Sequence, residues 1–146
     1  MSAINKVTVI GAGLMGHGIA QVFAVHHHAV TIFDTNPKVL ESVRSRIQTN
    51  LHDLGENPSA LDRLNVCPVL EQAVAGADFV VEAAPENLAL KRKLFETIEA
   101  AAPAAAILAS NTLSSRSRKS WRGLRTEHDA WEPTGGTRRS SSRWLK

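Results

Sequence analysis

Lys6-Val7-Thr8-Val9-Ile10-Gly11-Ala12-Gly13-Leu14-Met15-Gly16 decides the architecture of this chain. Val7, Val9 and Ile10 are β-branched and apolar, as in a strand buried on both faces in the middle of a parallel sheet. Gly11, Gly13 and Gly16 follow at G-x-G-x-x-G spacing, and a helical pattern starts at once. In such a turn the first glycine allows the sharp reversal, the second admits a pyrophosphate to the backbone, and the third lets helix and strand close up. The free N–H groups and positive dipole end at the helix start suit phosphates. A second strand, Ala29 to Phe33, ends in Asp34, 18 residues past Gly16. That is the place of a carboxylate that takes the adenosine ribose hydroxyls. Together these features point to dinucleotide binding. Asp34 also repels a 2′-phosphate, which favours NAD over NADP.

Working outward, the first helix is expected from Leu14 to His26, with Leu14, Ile19, Val22 and Phe23 on its buried side. His26, His27 and His28 end it, at a position that favours cations. No carboxylate or thiolate is spaced to complete a metal site there, and no metal ligand is assigned. Asn36 and Pro37 read as the cap and first residue of a second helix reaching Leu54, with Val39, Leu40, Val43, Ile47 and Leu51 at helical spacing. Gly55 to Ser59 breaks it. A short strand at Leu64 to Val69, a brief helix at Glu71 to Ala75, a strand at Asp78 to Ala83, a helix at Leu88 to Ala101 capped by Asn87, and a strand at Ile107 to Ala109 follow. Alternating strands and helices imply an α/β, Rossmann-type doubly wound parallel sheet, with the cofactor across its C-terminal edge.

The 146 residues hold one domain with a core, and 43% hydrophobic and 21% charged residues suit a globular protein. No apolar run is long enough for a bilayer, no leader precedes the first strand, and the lone Cys67 suits a reducing compartment. The expectation is a cytoplasmic protein without a membrane partner. Charge is divided unevenly. Residues 1–115 carry 8 Lys and Arg against 11 Asp and Glu, whereas residues 116–146 carry 9 against 3. The acidic front gives no sign of a nucleic-acid partner.

Four stretches together resemble the NAD-binding domain of the 3-hydroxyacyl-CoA dehydrogenase family: Val9 to Gly16, the strand ending in Asp34, Val80-Val-Glu-Ala-Ala-Pro-Glu-Asn-Leu88 with Lys91 to Phe95, and Ala109-Ser-Asn-Thr112. The resemblance covers residues 5 to about 115. It implies cofactor contacts from Gly11, Ala12, Gly13, Leu14, Met15, Gly16 and Asp34, with Glu86, Lys91 and Asn111 at the nicotinamide half. On the residues alone, Glu86 and Asn87 also read as helix-start residues, Lys91 as a solvated helix face and Asn111 as a turn former. It further implies oxidation of a 3-hydroxyacyl-CoA or related hydroxy acid to the 3-oxo compound, and a homodimer for the full-length protein. Two departures stand out. Family members that take acyl-CoA usually carry lysines after the second helix, whereas Leu51 to Asn65 has Arg63 as its only Lys or Arg. Leu113 stands where the family has a serine. A free hydroxy acid, carnitine-like or a sugar acid, is therefore a second substrate reading.

From Arg116 the composition changes. All three tryptophans lie here, and Val, Ile, Met and Phe are absent. Such a segment is not expected to supply the next strand of a buried parallel sheet. It reads either as a basic arm, which would make the chain a non-catalytic NAD- or nucleic-acid-binding module, or as a shifted reading frame. With a choice among synonymous codons, reading one base earlier turns Arg116 to Trp121 into P-I-T-E-I-V and recovers N-P-P and L-V-E wording further on. The family's general-base histidine and its orienting glutamate belong to such H-x-x-N-P and L-V-E segments. As written, His17, His52 and His128 stand outside that context, so no catalytic residue is assigned. Residues 1–115 thus read as an incomplete NAD-binding domain, and 116–146 as a basic tail, disordered or frame-shifted from between Leu113 and Ser115.

Overall fold

The computed structural model describes residues 3–111 and a strand at 143–145. Six parallel strands lie in the order β3-β2-β1-β4-β5-β6. They are β1 (Lys6–Ile10), β2 (Ala29–Phe33), β3 (Leu64–Val66), β4 (Phe79–Glu82), β5 (Ile107–Ser110) and β6 (Arg143–Leu145). The helices are α1 (Leu14–Val25), α2 (Pro37–Leu54), α3 (Leu70–Val74) and α4 (Leu88–Ala101). The strand order reverses between β1 and β4, which opens a crevice at the carboxyl ends of those strands.

Each face of the sheet carries its own core, as the two-residue period of β1 requires. Val7 and Val9 pack with Ala20, Ala24, Ile32, Val43, Ile47 and Leu51, under α1 and α2. Ile10 packs on the other face with Val74, Val80, Leu94, Phe95, Ile98 and Leu108, under α3 and α4. Thr8 lies on that second face, where its hydroxyl donates to the Ala73 carbonyl at 2.6 Å, so a polar atom in the core is satisfied. At the opposite edge from the crevice, the Asp78 carboxylate accepts from the Asn5 and Lys6 N–H groups, both at 2.9 Å. It fastens the start of β1 beside β4.

Most expected elements appear within a residue or two. The α2 cap is as read: the Asn36 side chain accepts from the Lys38 N–H, Pro37 opens the helix, and Gly55 closes it at φ 67°. Three readings change. First, Leu14 and Val22 are not on the buried face of α1; they are 83% and 56% exposed. The helix buries Gly16, His17, Ala20, Gln21 and Ala24 instead. A Cβ at Gly16 would collide with the Gly11 carbonyl, so α1 lies too close to the sheet for large side chains between them. Second, the loop after Gly55 contains a 3-10 turn, Pro58–Arg63, and β3 stops at Val66. Third, the basic tail does supply a strand: β6 pairs in parallel with β5, with Leu108 opposite Trp144. An edge strand needs backbone partners on one side only, a weaker demand than a central position makes. The remainder of the tail, including His128, lies outside the described residues.

Candidate cofactor-binding site

Gly11 leaves β1 at φ +100°, and a Cβ there would stand 2.7 Å from the Ala83 carbonyl oxygen. Glycine is therefore required for the turn and for its seat against the loop after β4. No described atom lies within 4 Å of a Cβ built at Gly13, so this glycine borders open space. Gly13 is also the N-cap of α1; no side chain among the described residues caps it, and the first turn holds no acid. Unclaimed N–H donors beside open space are what a pyrophosphate needs. Leu14 and Met15, which follow, have exposed apolar side chains.

Asp34 continues from β2 to the same place. Its Oδ2 accepts from the Ala12 N–H at 2.8 Å and its Oδ1 from the Asn36 N–H at 2.8 Å. Each carboxylate oxygen can accept more than one hydrogen bond, so the half-buried group keeps capacity for ribose hydroxyls while it braces the glycine turn. A residue not anticipated from the sequence braces the turn from behind. Arg46, on α2, donates from one terminal nitrogen to the Ala12 carbonyl at 2.6 Å and the Val39 carbonyl at 3.2 Å. Its other terminal nitrogen lies 3.3 Å from His17 Nδ1. His17 Nδ1 is also 2.8 Å from the Gly13 carbonyl, so this buried histidine belongs to the scaffold of the turn.

Across the crevice, the segments carrying Glu86, Lys91 and Asn111 meet at Glu82. Lys91 is not a solvated helix residue. It is 4% exposed, with Nζ 3.5 Å from Glu82 Oε2. Asn111 is exposed, and its N–H donates to the Glu82 carbonyl at 2.8 Å. Glu86 is exposed on the loop between β4 and α4, and Asn87 caps α4 by accepting from the Leu90 N–H at 3.1 Å. His52 is on the outer surface of α2 beside Asp53, away from the crevice.

A parallel sheet of this strand order, with a glycine turn and a carboxylate at its switch point, defines a dinucleotide-binding domain. The 3-hydroxyacyl-CoA dehydrogenase, NAD binding domain family matches residues 6–128. The chain belongs to this family, and its cofactor is NAD. The match enters the tail, beyond the limit near 115 read from the sequence. A probable 3-hydroxyacyl-CoA dehydrogenase of Caenorhabditis elegans is 39% identical over 129 residues, covering 80% of this chain and 42% of the relative. An L-carnitine dehydrogenase of Streptomyces coelicolor is 38% identical over 113 residues, covering 75% and 36%. Among solved structures, (S)-3-hydroxybutyryl-CoA dehydrogenase from Ralstonia eutropha superimposes with a TM-score of 0.69 at 32% identity, covering 75% of this chain and 41% of that one. The chain thus spans less than half the length of these proteins.

Proposed function

We propose that this chain supplies the cofactor half of an NAD-dependent oxidoreductase of the 3-hydroxyacyl-CoA dehydrogenase type, oxidising a 3-hydroxyacyl-CoA or related hydroxy acid to the 3-oxo compound. The observation that carries this reading is the hydrogen bond from Ala12 to Asp34, which joins a phosphate-binding turn to a ribose-binding carboxylate. In this reading the backbone of Gly11, Ala12 and Gly13 and the N-terminal turn of Leu14, Met15 and Gly16 hold the pyrophosphate. Asp34 holds the adenosine ribose and excludes a 2′-phosphate. Glu86, Lys91 and Asn111 form the nicotinamide side. Bound NAD would accept the hydride from the carbinol carbon. The proton of the hydroxyl would go to a general base, a role to which no residue of this chain is assigned. In this reading the protein is cytoplasmic and, at full length, a homodimer. Among the described residues no helix is long and apolar enough to cross a membrane.

Titration of the purified chain with NADH and NADPH, followed by nicotinamide fluorescence, tests the cofactor assignment. NADH should bind at least about tenfold more tightly, because a 2′-phosphate would stand beside the Asp34 carboxylate. Equal affinity for the two would overturn the assignment.

One observation favours a free hydroxy acid as substrate, as in the carnitine dehydrogenase relative. Leu51 to Asn65 lacks the lysines that would meet CoA phosphates. Resequencing the coding DNA past Thr112, followed by assays of any frame-restored protein with acyl-CoA thioesters and with free hydroxy acids, separates the two substrates. Recovery of H-x-x-N-P with turnover of the thioester alone would exclude the free acid.

A further inference from the structure

We infer that Glu82 is the positioning residue of the nicotinamide side: one buried carboxylate sets the geometry of all three segments that border it. The inference rests on the cofactor reading above. Glu82 is the last residue of β4, beside the switch point, and is 1% exposed. Its Oε1 accepts from the Ala84 N–H at 2.7 Å, which fixes the turn leading to Glu86. Its Oε2 accepts from the Ser110 hydroxyl at 2.6 Å, at the end of β5. The same oxygen lies 3.5 Å from Lys91 Nζ on α4. Its main-chain carbonyl accepts from the Asn111 N–H at 2.8 Å.

A strand residue that only filled the core would be apolar here, as Val80 and Val81 are. Burying a carboxylate is costly unless charge and hydrogen bonds compensate it, and here the Ala84 N–H, the Ser110 hydroxyl and Lys91 come from three different walls of the crevice. Separate pieces of chain are thereby held in one arrangement. None of these hydrogen bonds reaches the glycine turn, which touches this side only where Gly11 packs against the backbone of Ala83 and Ala84. Its braces are Asp34 and Arg46 on the far side of β1. The adenosine and nicotinamide halves of the site are therefore secured by separate side-chain networks. Loss of Glu82 should damage one half and spare the other.

The test compares ADP-ribose with NADH on the full 146-residue chain, using Glu82→Gln and Ser110→Ala. The glutamine keeps the size of the side chain but not its charge. The alanine removes one bond and leaves Glu82 facing Lys91. In Glu82→Gln, affinity for NADH should fall about tenfold, as loss of a buried charge-assisted contact implies, with ADP-ribose affinity unchanged. The emission of bound NADH should also move toward that of the free nucleotide. Ser110→Ala should show the same pattern at smaller size, and it carries the test should Glu82→Gln not fold. Parallel loss of both ligands, or no loss of either, in the folded variants would overturn the role. If the unaltered chain binds ADP-ribose but NADH no differently, the nicotinamide side is not built and the inference fails while the adenosine half stands. If it binds neither, the cofactor reading itself fails.

Discussion

Asp34 and Asp78 are both half-exposed acids at strand ends, and they do different work. Asp34 closes on the glycine turn through Ala12. Asp34→Asn keeps one acceptor oxygen but removes the charge that attracts hydroxyl donors and repels phosphate. NADH affinity should fall about tenfold while NADPH binding improves, as paired fluorescence titrations would show. Asp78 accepts from two backbone N–H groups at the other edge of the sheet, and these bonds hold its carboxyl below the ordinary aspartate range. A carboxyl with a lowered folded value stabilises the fold at pH above its unfolded value. That contribution fades as pH drops from about 4 through the folded value. Thermal unfolding across this acid range should show a steeper loss in the parent chain than in Asp78→Asn. Identical slopes would remove Asp78 from the account.

Helix α1 shows why glycine spacing says more than hydrophobic spacing at such a junction. Gly13→Ala places its methyl in open space, whereas Gly16→Ala drives one into the Gly11 carbonyl. The first should leave the melting temperature near that of the parent chain but weaken NADH binding. The second should cost about 3 kcal/mol of stability, near the upper end for overpacking. Calorimetry beside binding titrations separates the two. The motif was readable because G-x-G-x-x-G carries a packing rule as well as a binding one. The buried face of α1 was misread for the same reason: helical periodicity favours Leu14 and Val22, but a helix held this close to its strand can bury only residues such as Ala20 and Ala24. No local pattern marks Arg46, and Glu82, though it lies in the Val80 to Leu88 stretch, carries no sign of its role in the sequence. Their partners lie 34 residues away at Ala12 and 28 residues away at Ser110. A motif read in one dimension finds the groups that face a ligand more readily than those that hold them.

At the scale of the whole molecule, β-α-β alternation was enough to give the parallel sheet. It is not enough for the edge, where β6 comes from a segment whose composition does not suit the next strand of a buried parallel sheet. Deleting residues 112–146 removes β6 and bares the rim of β5. The shortened chain should therefore melt lower and aggregate more readily, as light scattering during heating would record. Its NADH affinity should change little, because the Asn111 N–H is held by Glu82 and not by the tail. The position of β4 also governs how the protein is made. β1, α1 and β2 precede β4 in the chain and are already neighbours, so the glycine turn and its Asp34 brace can form without β4. The flank of β1 that receives β4 stays bare until about 70 further residues have been synthesised. The two flanks of β1 are therefore completed in turn, the Asp34 side before the Glu82 side.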